Sequence, residues 1–321
     1  MGVIMLQNNQ GKPFLSIVIP ILNEEGNIPE LYRNLQEVIR EVGKPYEIIF
    51  VNDGSWDHSI DLIKELNLQN PHIRLISFSR NYGHQPALTA GLQHTSGDIV
   101  ITMDGDLQHP PHLIPKMIDC WKNGYEIVHM VKEKTEERGF LKNILASGFY
   151  YIFSKISEID MDPNASDFRL MSRKTVNVLN AMPEQHRFIR GLTYWMGFRS
   201  TKVKYIAPKR FAGEPKYSIF KLAKLASAGV LSFSVFPLRA SLYVGLIIAS
   251  LSFLYALFAA YKRIFVGDVP VGYTDMMFFI LFLGGVQLVF LGVIGEYLAK
   301  VFQQVRGRPL YVINEMIGFS N

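Results

Sequence analysis

Between Leu15 and Lys132, short runs of β-branched and other apolar residues alternate with stretches whose apolar positions recur every three or four residues. The runs predict strands over Leu15–Ile21, Tyr46–Asp53, Ile73–Ser79, Asp98–Asp104 and Tyr125–Val131. Ile28, Leu31, Tyr32, Leu35, Val38 and Ile39 fall at helical spacing between the first two runs. A second helix starts with Asp57 as its cap, and a third covers Gln85–His94. A fourth opens at Pro111 and ends near Asn123 and Gly124. Strands that alternate with helices pack as a mostly parallel sheet with helices on its faces, the α/β class.

The alternation stops after Lys132. Residues 139–156 and 217–236 read as amphipathic helices lying on a membrane surface, the second carrying Lys221 and Lys224. Farther on, the stretches Ser241–Tyr261 and Met276–Val301 are nearly free of charge. Each is long enough to cross a hydrocarbon core of about 30 Å as a helix. A pair of buried core helices is the alternative. The predicted division is one domain over 1–237 that includes both surface helices, and a transmembrane hairpin with a short tail over 238–321.

Only 19% of the 321 residues are charged and the mean hydropathy is positive, in keeping with a chain attached to a bilayer. Lys209, Arg210, Lys216, Lys221, Lys224 and Arg239 precede the first span, and Lys300, Arg306 and Arg308 follow the second. Positive residues on both flanks place both ends of the hairpin in the cytoplasm, on the cell (inner) membrane. Lys262 and Arg263 fall at the opposite end and are read as snorkelling. The net charge of +5 comes with no aromatic-basic surface motif, so nucleic acid is not an expected partner. Cys120 is the sole cysteine, which leaves no intramolecular disulfide and fits a reducing compartment. The first residues lack the basic start and long apolar core of a secretory signal.

The chemistry concentrates at 98–112, DIVITMDGDLQHPPH, where a β-branched run ends in two aspartates one residue apart. An extended backbone would send Asp104 and Asp106 to the same side, and Gly105 between them would let a ligand approach the chain. Hard oxygen ligands of this kind suit Mg²⁺ or Mn²⁺, which share their coordination with substrate phosphates. A nucleoside diphosphate compound is the implied substrate. In open parallel sheets the ligand lies beyond the carboxyl ends of the strands. Asn23 and Glu24, Asp53 and Gly54, Arg80 and Asn81, and Asp104 and Asp106 sit at four successive strand ends. Each alone reads equally as a cap or turn residue. His109 and His112 invite a zinc reading, but no second His or Cys pair stands nearby at ligand spacing.

The segments SIVIPILNEE (16–25), FVNDGSWD (50–57), SRNYGHQPALTAG (79–91), MDGDLQHPP (103–111) and SDFRLMSR (166–173) closely resemble the family-two glycosyltransferases. The resemblance is to the polyprenyl-phosphate subgroup. It continues through RFAGEPKYS (210–218), ILFLGGVQLVFLGVIGEYLAKV (280–301) and RPLYVI (308–313), as in two-span bacterial members. It implies a GT-A-type domain with interfacial helices and a two-helix transmembrane hairpin. Carried over by motif, Pro20, Asn23, Glu24 and Asp53 would contact the nucleoside, with Gly54, Arg80 and Asn81 as further substrate-binding positions. Asp104, Asp106 and Gln108 would hold the metal and diphosphate. Arg210 and Lys216 would close over the phosphates, the alternative being headgroup binding; Pro215 stands where the family often has Ser or Thr. Arg138, Lys142 and Ser147 would receive the lipid phosphate.

The reaction so implied is attack by a polyprenyl phosphate oxygen on the anomeric carbon of a nucleotide sugar, UDP-linked by expectation, with inversion. The product would serve cell-envelope glycan modification. Asp167 occupies the position usually proposed as general base, and Asp106 is the second residue expected in catalysis. A phosphate monoester has a second pKa of about 6, so the acceptor is already largely dianionic at neutral pH. Asp167 is therefore read as orienting the acceptor or steadying positive charge on the sugar; its alternative is a pairing partner for Arg169. Competing functions are a transferase acting on another lipid-linked or protein acceptor, and a non-catalytic membrane scaffold. Beyond donor, acceptor and bilayer, the expected partners are a second copy of the chain, through Gly284, Gly285, Gly292 and Gly295, and a flippase.

Overall fold

The structure is a computed structural model that describes residues 12–133, 162, 164–185, 187–208, 236–265 and 272–319. Two compact units divide the chain. The first holds an eight-stranded sheet made of β1 (Leu15–Ile21), β2 (Tyr46–Asn52), β3 (Ile73–Phe78), β4 (Ile99–Thr102), β5 (Ile127–Lys132), β6 (Ala165–Ser172), β7 (Ser200–Tyr205) and β8 (Ile313–Ile317). Its strand order is β7-β5-β6-β4-β1-β2-β3-β8. The pairs β1–β2, β1–β4, β2–β3 and β5–β7 are parallel. Both neighbours of β6, and the β3–β8 pair, are antiparallel.

The central strands are buried on both faces, which is why they read as runs rich in Ile and Val and not as alternating patterns. Helix α1 (Ile28–Val42) buries Ile28, Leu31, Leu35, Val38 and Ile39, and stops at Gly43, whose φ of 59° closes the cap onto Ile39. Helices α2 (Ser59–Gln69), α3 (His84–Gln93) and α4 (Ile114–Lys122) follow their strands, α4 after a 3-10 turn at Pro111–Leu113. Asp57 lies one residue before the α2 cap and not on it; its carboxylate accepts from the Ser59 and Glu25 amides. Two further helices among the described residues, α5 (Arg173–Ala181) and α6 (Ile189–Trp195), belong to the same unit.

Two features depart from the sequence pattern. The fifth apolar run does not extend the parallel series beside β4, because β6 is inserted between β4 and β5 and runs the other way. Its segment ASDFRLMS carries Asp, Arg and two Ser among the apolar positions, so no strand periodicity shows. The tail after the second apolar stretch is likewise no loose end: β8 pairs with β3 and closes that side of the sheet.

The second unit contains α7 (Phe236–Phe265) and α8 (Tyr273–Arg306). Both are long and apolar enough to cross a membrane, with windows at Leu238–Tyr255 and Phe282–Arg306 in which no residue is buried by the protein. Leu246, Ile247, Leu251, Phe253, Leu288 and Val289 all stand exposed, unlike the side chains of a core helix. The rings of Tyr255 and Phe279 face each other at 6.4 Å between the two helices.

His129 on β5 is 1% exposed, stacks on Tyr194 at 4.0 Å, and has no hydrogen-bond partner on either ring nitrogen among the described residues. Burial, then Arg169 and Lys202, push its pKa down to about 3. The unfolded chain takes up this proton near pH 6.5 and the folded chain does not, so stability falls as pH drops from 6.5 towards 3. The loss from this one group is about 2 kcal/mol between pH 6.5 and 5. His129→Phe keeps the stacked ring and removes the titration. Melting curves at pH 7.5 and 5 should lie closer together in that variant by about 4 °C or more; an unchanged gap would refute this account.

Candidate active site

Four strand ends and one strand start meet at one edge of the sheet. Beyond β1, Asn23 adopts the left-handed region (φ 56°) and is zipped to the loop after β2: its amide donates to Ser55 Oγ at 3.0 Å and its Oδ1 accepts from the Trp56 amide at 3.0 Å. The Glu24 amide donates to Ser59 Oγ, and the Glu24 carboxylate accepts from Asn27 Nδ2 at 2.6 Å. Pro20 is buried within β1. Gly54 has φ 77°, and a Cβ there would fall 2.7 Å from the Arg80 carbonyl carbon and the Asn81 nitrogen, so only glycine lets these two loops touch.

Asp53 is turned inward. It is 4% exposed; Oδ1 accepts from the amides of Tyr82 (2.6 Å) and Gly83 (3.1 Å), and Oδ2 from that of Gly83 (2.9 Å). Burial raises its pKa against the pull of these amide bonds. The residue expected to touch a nucleoside thus braces the loop that follows β3. Arg80 and Asn81 on that loop are exposed, and the Arg80 guanidinium lies 4.1 Å from the centre of the Tyr82 ring.

The aspartate pair lies on a turn and not on an extended strand end, since β4 stops at Thr102. Asp106 Oδ1 accepts from the Gln108 amide at 3.2 Å, and Leu107 between them has φ 61°. Gly105 faces protein: a Cβ there would sit 3.2 Å from Ile21 and 3.6 Å from the Pro20 carbonyl, so the turn packs against the end of β1. Two histidines hold Asp104. His84 Nε2 meets Oδ1 at 2.8 Å, and His109 Nε2 lies 3.6 Å from Oδ2. The Asp104 amide donates to His109 Nδ1 at 2.8 Å, which leaves the proton of a neutral imidazole on Nε2, facing the carboxylate. Burial depresses both His109 and His84, but for His84 the bond to Asp104 wins and lifts its pKa to about 9.

Asp167 comes from β6. Thr102 pairs with Arg169 in the antiparallel register and its Oγ1 donates to the Asp167 carbonyl at 2.6 Å, which brings Asp167 near enough for its charge to act on Asp104. The Asp167 carboxylate accepts from Arg169 Nη2 at 2.8 Å and from Arg190 Nη2 at 2.7 Å. Burial would raise its pKa, but Arg190, Arg169 and then His84 hold it far below the ordinary carboxylate range. Arg169 is wholly buried and also donates to Thr193 Oγ1 and the Ser166 carbonyl. The pairing alternative for Asp167 is therefore what the geometry shows, with a second arginine added.

On the β5–β7 side of the same edge lies a cleft of about 400 Å³ lined by Lys132, Glu133, Asp162, Asn164 and Lys204. Arg138, Lys142, Ser147, Arg210 and Lys216, and both predicted surface helices, lie outside the described residues, apart from the last residue of the second, Phe236, which opens α7. His84 and Arg190 were not identified from the sequence, and His109 was weighed there only as a zinc ligand. His84 could have been reached by extending the strand-end argument a few residues past Asn81; nothing in spacing marks Arg190.

The donor set suits a hard cation. Asp104, Asp106 and Gln108 offer oxygen on a half-buried turn, while no three His, Cys, Asp or Glu side chains among the described residues form a closed cage. Such a site is completed by oxygens of a bound phosphate compound, as is usual for Mg²⁺.

Comparison with known proteins agrees with this arrangement. Residues 16–179 match the family described as Glycosyl transferase family 2, and residues 236–301 match the GtrB C-terminal hairpin. The bactoprenol glucosyl transferase of Shigella phage SfX is 42% identical over 93% of this chain and 98% of its own. The prophage bactoprenol glucosyl transferase homolog of Escherichia coli K12 is 39% identical over 94% and 99%. The uncharacterized glycosyltransferase YkcC of Bacillus subtilis is 40% identical over 95% of each chain. With an Asp-x-Asp turn at the sheet edge, a buried aspartate–arginine cluster beside it and a matching hairpin, the chain belongs to glycosyl transferase family 2.

Proposed function

We propose that the chain is an integral membrane hexosyltransferase that moves a sugar from a nucleoside diphosphate sugar to a polyprenyl phosphate, with inversion, on the cytoplasmic face of the cell membrane. The observation that carries this reading is the convergence of Asp104, Asp106 and Asp167 at one sheet edge, in a chain whose apolar helices α7 and α8 need a bilayer around them. The names of the bactoprenol relatives support the lipid acceptor.

Asp104, Asp106 and Gln108 would hold Mg²⁺ or Mn²⁺, which as a Lewis acid stabilises the charge that builds on the departing diphosphate. His109 and His84 keep the Asp104 carboxylate aimed, so little reorganisation is needed when charge develops. Arg80 and Asn81 line the donor side. Asp167, clamped by two guanidinium groups, is a poor proton acceptor. With Arg169 and Arg190 it forms a cluster of net positive charge, which suits orienting the anionic acceptor phosphate. The acceptor phosphate needs no base because it is already ionised at neutral pH. Its attack opposite the leaving diphosphate is a single displacement, which inverts the anomeric centre.

The test is a transfer assay on the full chain in lipid with undecaprenyl phosphate, divalent metal, and labelled UDP, GDP and dTDP sugars. One labelled lipid, dependent on metal, is expected. No labelled lipid from any donor would overturn the acceptor assignment.

A further inference from the structure

The loop that carries Arg80 is held from an unexpected direction. Its first residue, Ser79, donates its amide to the Val312 carbonyl at 3.0 Å, in the tail six residues beyond α8. Next to Val312, the Tyr311 ring stacks on Phe78 with centroids 4.8 Å apart and planes 15° from parallel. Phe78 in turn meets the Tyr82 ring edge-on at 5.7 Å, and Tyr82 lies under the Arg80 guanidinium at 4.1 Å. The Tyr311 hydroxyl is tied to Gln93 at the end of α3. The result is a ladder, Tyr311–Phe78–Tyr82–Arg80, that runs from the tail strand to an exposed cation at the donor edge. The same Tyr82 supplies one of the amides that grip Asp53.

We propose that Tyr311 is a positioning residue of the donor site: through Phe78 and Tyr82 it fixes the Ser79–Gly83 loop, and so sets where Arg80 meets the negatively charged diphosphate of the donor. Donor binding then depends on residues that follow the second apolar helix. The proposal rests on the reading of this edge as a nucleotide-sugar site. The physical basis is that a free loop loses conformational entropy when it orders on a ligand, whereas a loop braced by stacked rings has lost it already.

The experiment uses the full chain in nanodiscs and two readouts. Hydrogen exchange without nucleotide reports whether the Tyr82 and Gly83 amides are held. Calorimetry with UDP, GDP and dTDP reports donor affinity. Tyr311→Ala should speed exchange at both amides and weaken binding of the nucleotide by about fivefold, while kcat at saturating donor stays near that of the parent. Tyr311→Phe keeps the stack and should restore both readouts. Tyr311→Leu keeps apolar bulk without a flat ring and should remain impaired, which covers the case in which the alanine variant does not fold. Lys64→Ala, which removes the Lys64–Glu315 ion pair on the same tail strand, should change neither. If Tyr311→Ala or Tyr311→Leu behaves like Lys64→Ala, or if Tyr311→Phe is as impaired as they are, the positioning role is overturned. If the parent chain binds none of the three nucleotides, the donor reading fails, and the exchange data still decide whether Tyr311 holds the loop.

Discussion

Asp104→Asn should reduce sugar transfer by about 10²- to 10³-fold while leaving the fold in place. The substitution is isosteric, and its amide oxygen can still accept from His84. The bond from the residue 104 amide to His109 does not involve the side chain at all. What is lost is a negative charge on a turn whose other oxygen donors are Asp106 and Gln108, so the variant should bind Mn²⁺ weakly in the presence of nucleoside diphosphate. Nucleotide binding without metal should persist. Paramagnetic titration of Mn²⁺ and a transfer assay on the same preparation separate these effects. A variant with full transfer activity would leave the metal-centred mechanism without support and favour a non-catalytic role for the turn.

The second large effect concerns Asp167. Removing its charge leaves Arg169, which has no exposed surface, and Arg190 without their shared counter-ion. Breaking a buried pair from one side costs about 3 kcal/mol or more. Asp167→Asn should therefore lower the melting temperature by about 6 °C or more, with a loss of transfer that stability alone does not explain. The pH dependence distinguishes the two possible roles of this residue. Because its folded pKa is depressed, its stabilising contribution is complete above the ordinary carboxylate pKa of about 4 and fades only as pH falls below that. Between pH 5 and 8 the carboxylate is ionised throughout. The parent enzyme should consequently show no acid limb in that range that disappears in Asp167→Asn. Such a limb would restore Asp167 as a general base.

Much of this molecule was legible before any fold was known, for reasons that can be named. Strands β1 to β4 are buried on both faces, so burial wrote itself into the chain as runs rich in Ile and Val. The α1 face was visible because one stripe of a helix against a sheet must be apolar. The rule that ligands lie beyond parallel strand ends then gathered Asn23, Asp53, Arg80 and Asp104 at one edge, where they are found. The two apolar helices were visible by length alone, because a bilayer imposes a minimum on them.

Other features depend on contacts between segments far apart in the chain, and no local pattern encodes those. Strand β6 carries Asp and Arg in a buried position because each neutralises the other and a second arginine arrives from α6, a partner 23 residues away in sequence. Two amides from the loop after β3 take up the Asp53 carboxylate. His84 and His109 become supports for Asp104 only when α3 and the turn after β4 meet. No strand was read in the short tail, yet an unpaired β3 edge gives its backbone groups partners, and the sheet takes it in as β8. The sequence by itself determined the class of fold and the presence of two helices long and apolar enough to cross a membrane, since each depends on burial or residue chemistry along a local stretch. Tertiary structure alone decided which carboxylates are held by arginine, by histidine or by backbone amides, and that residues 313–317 pair with β3.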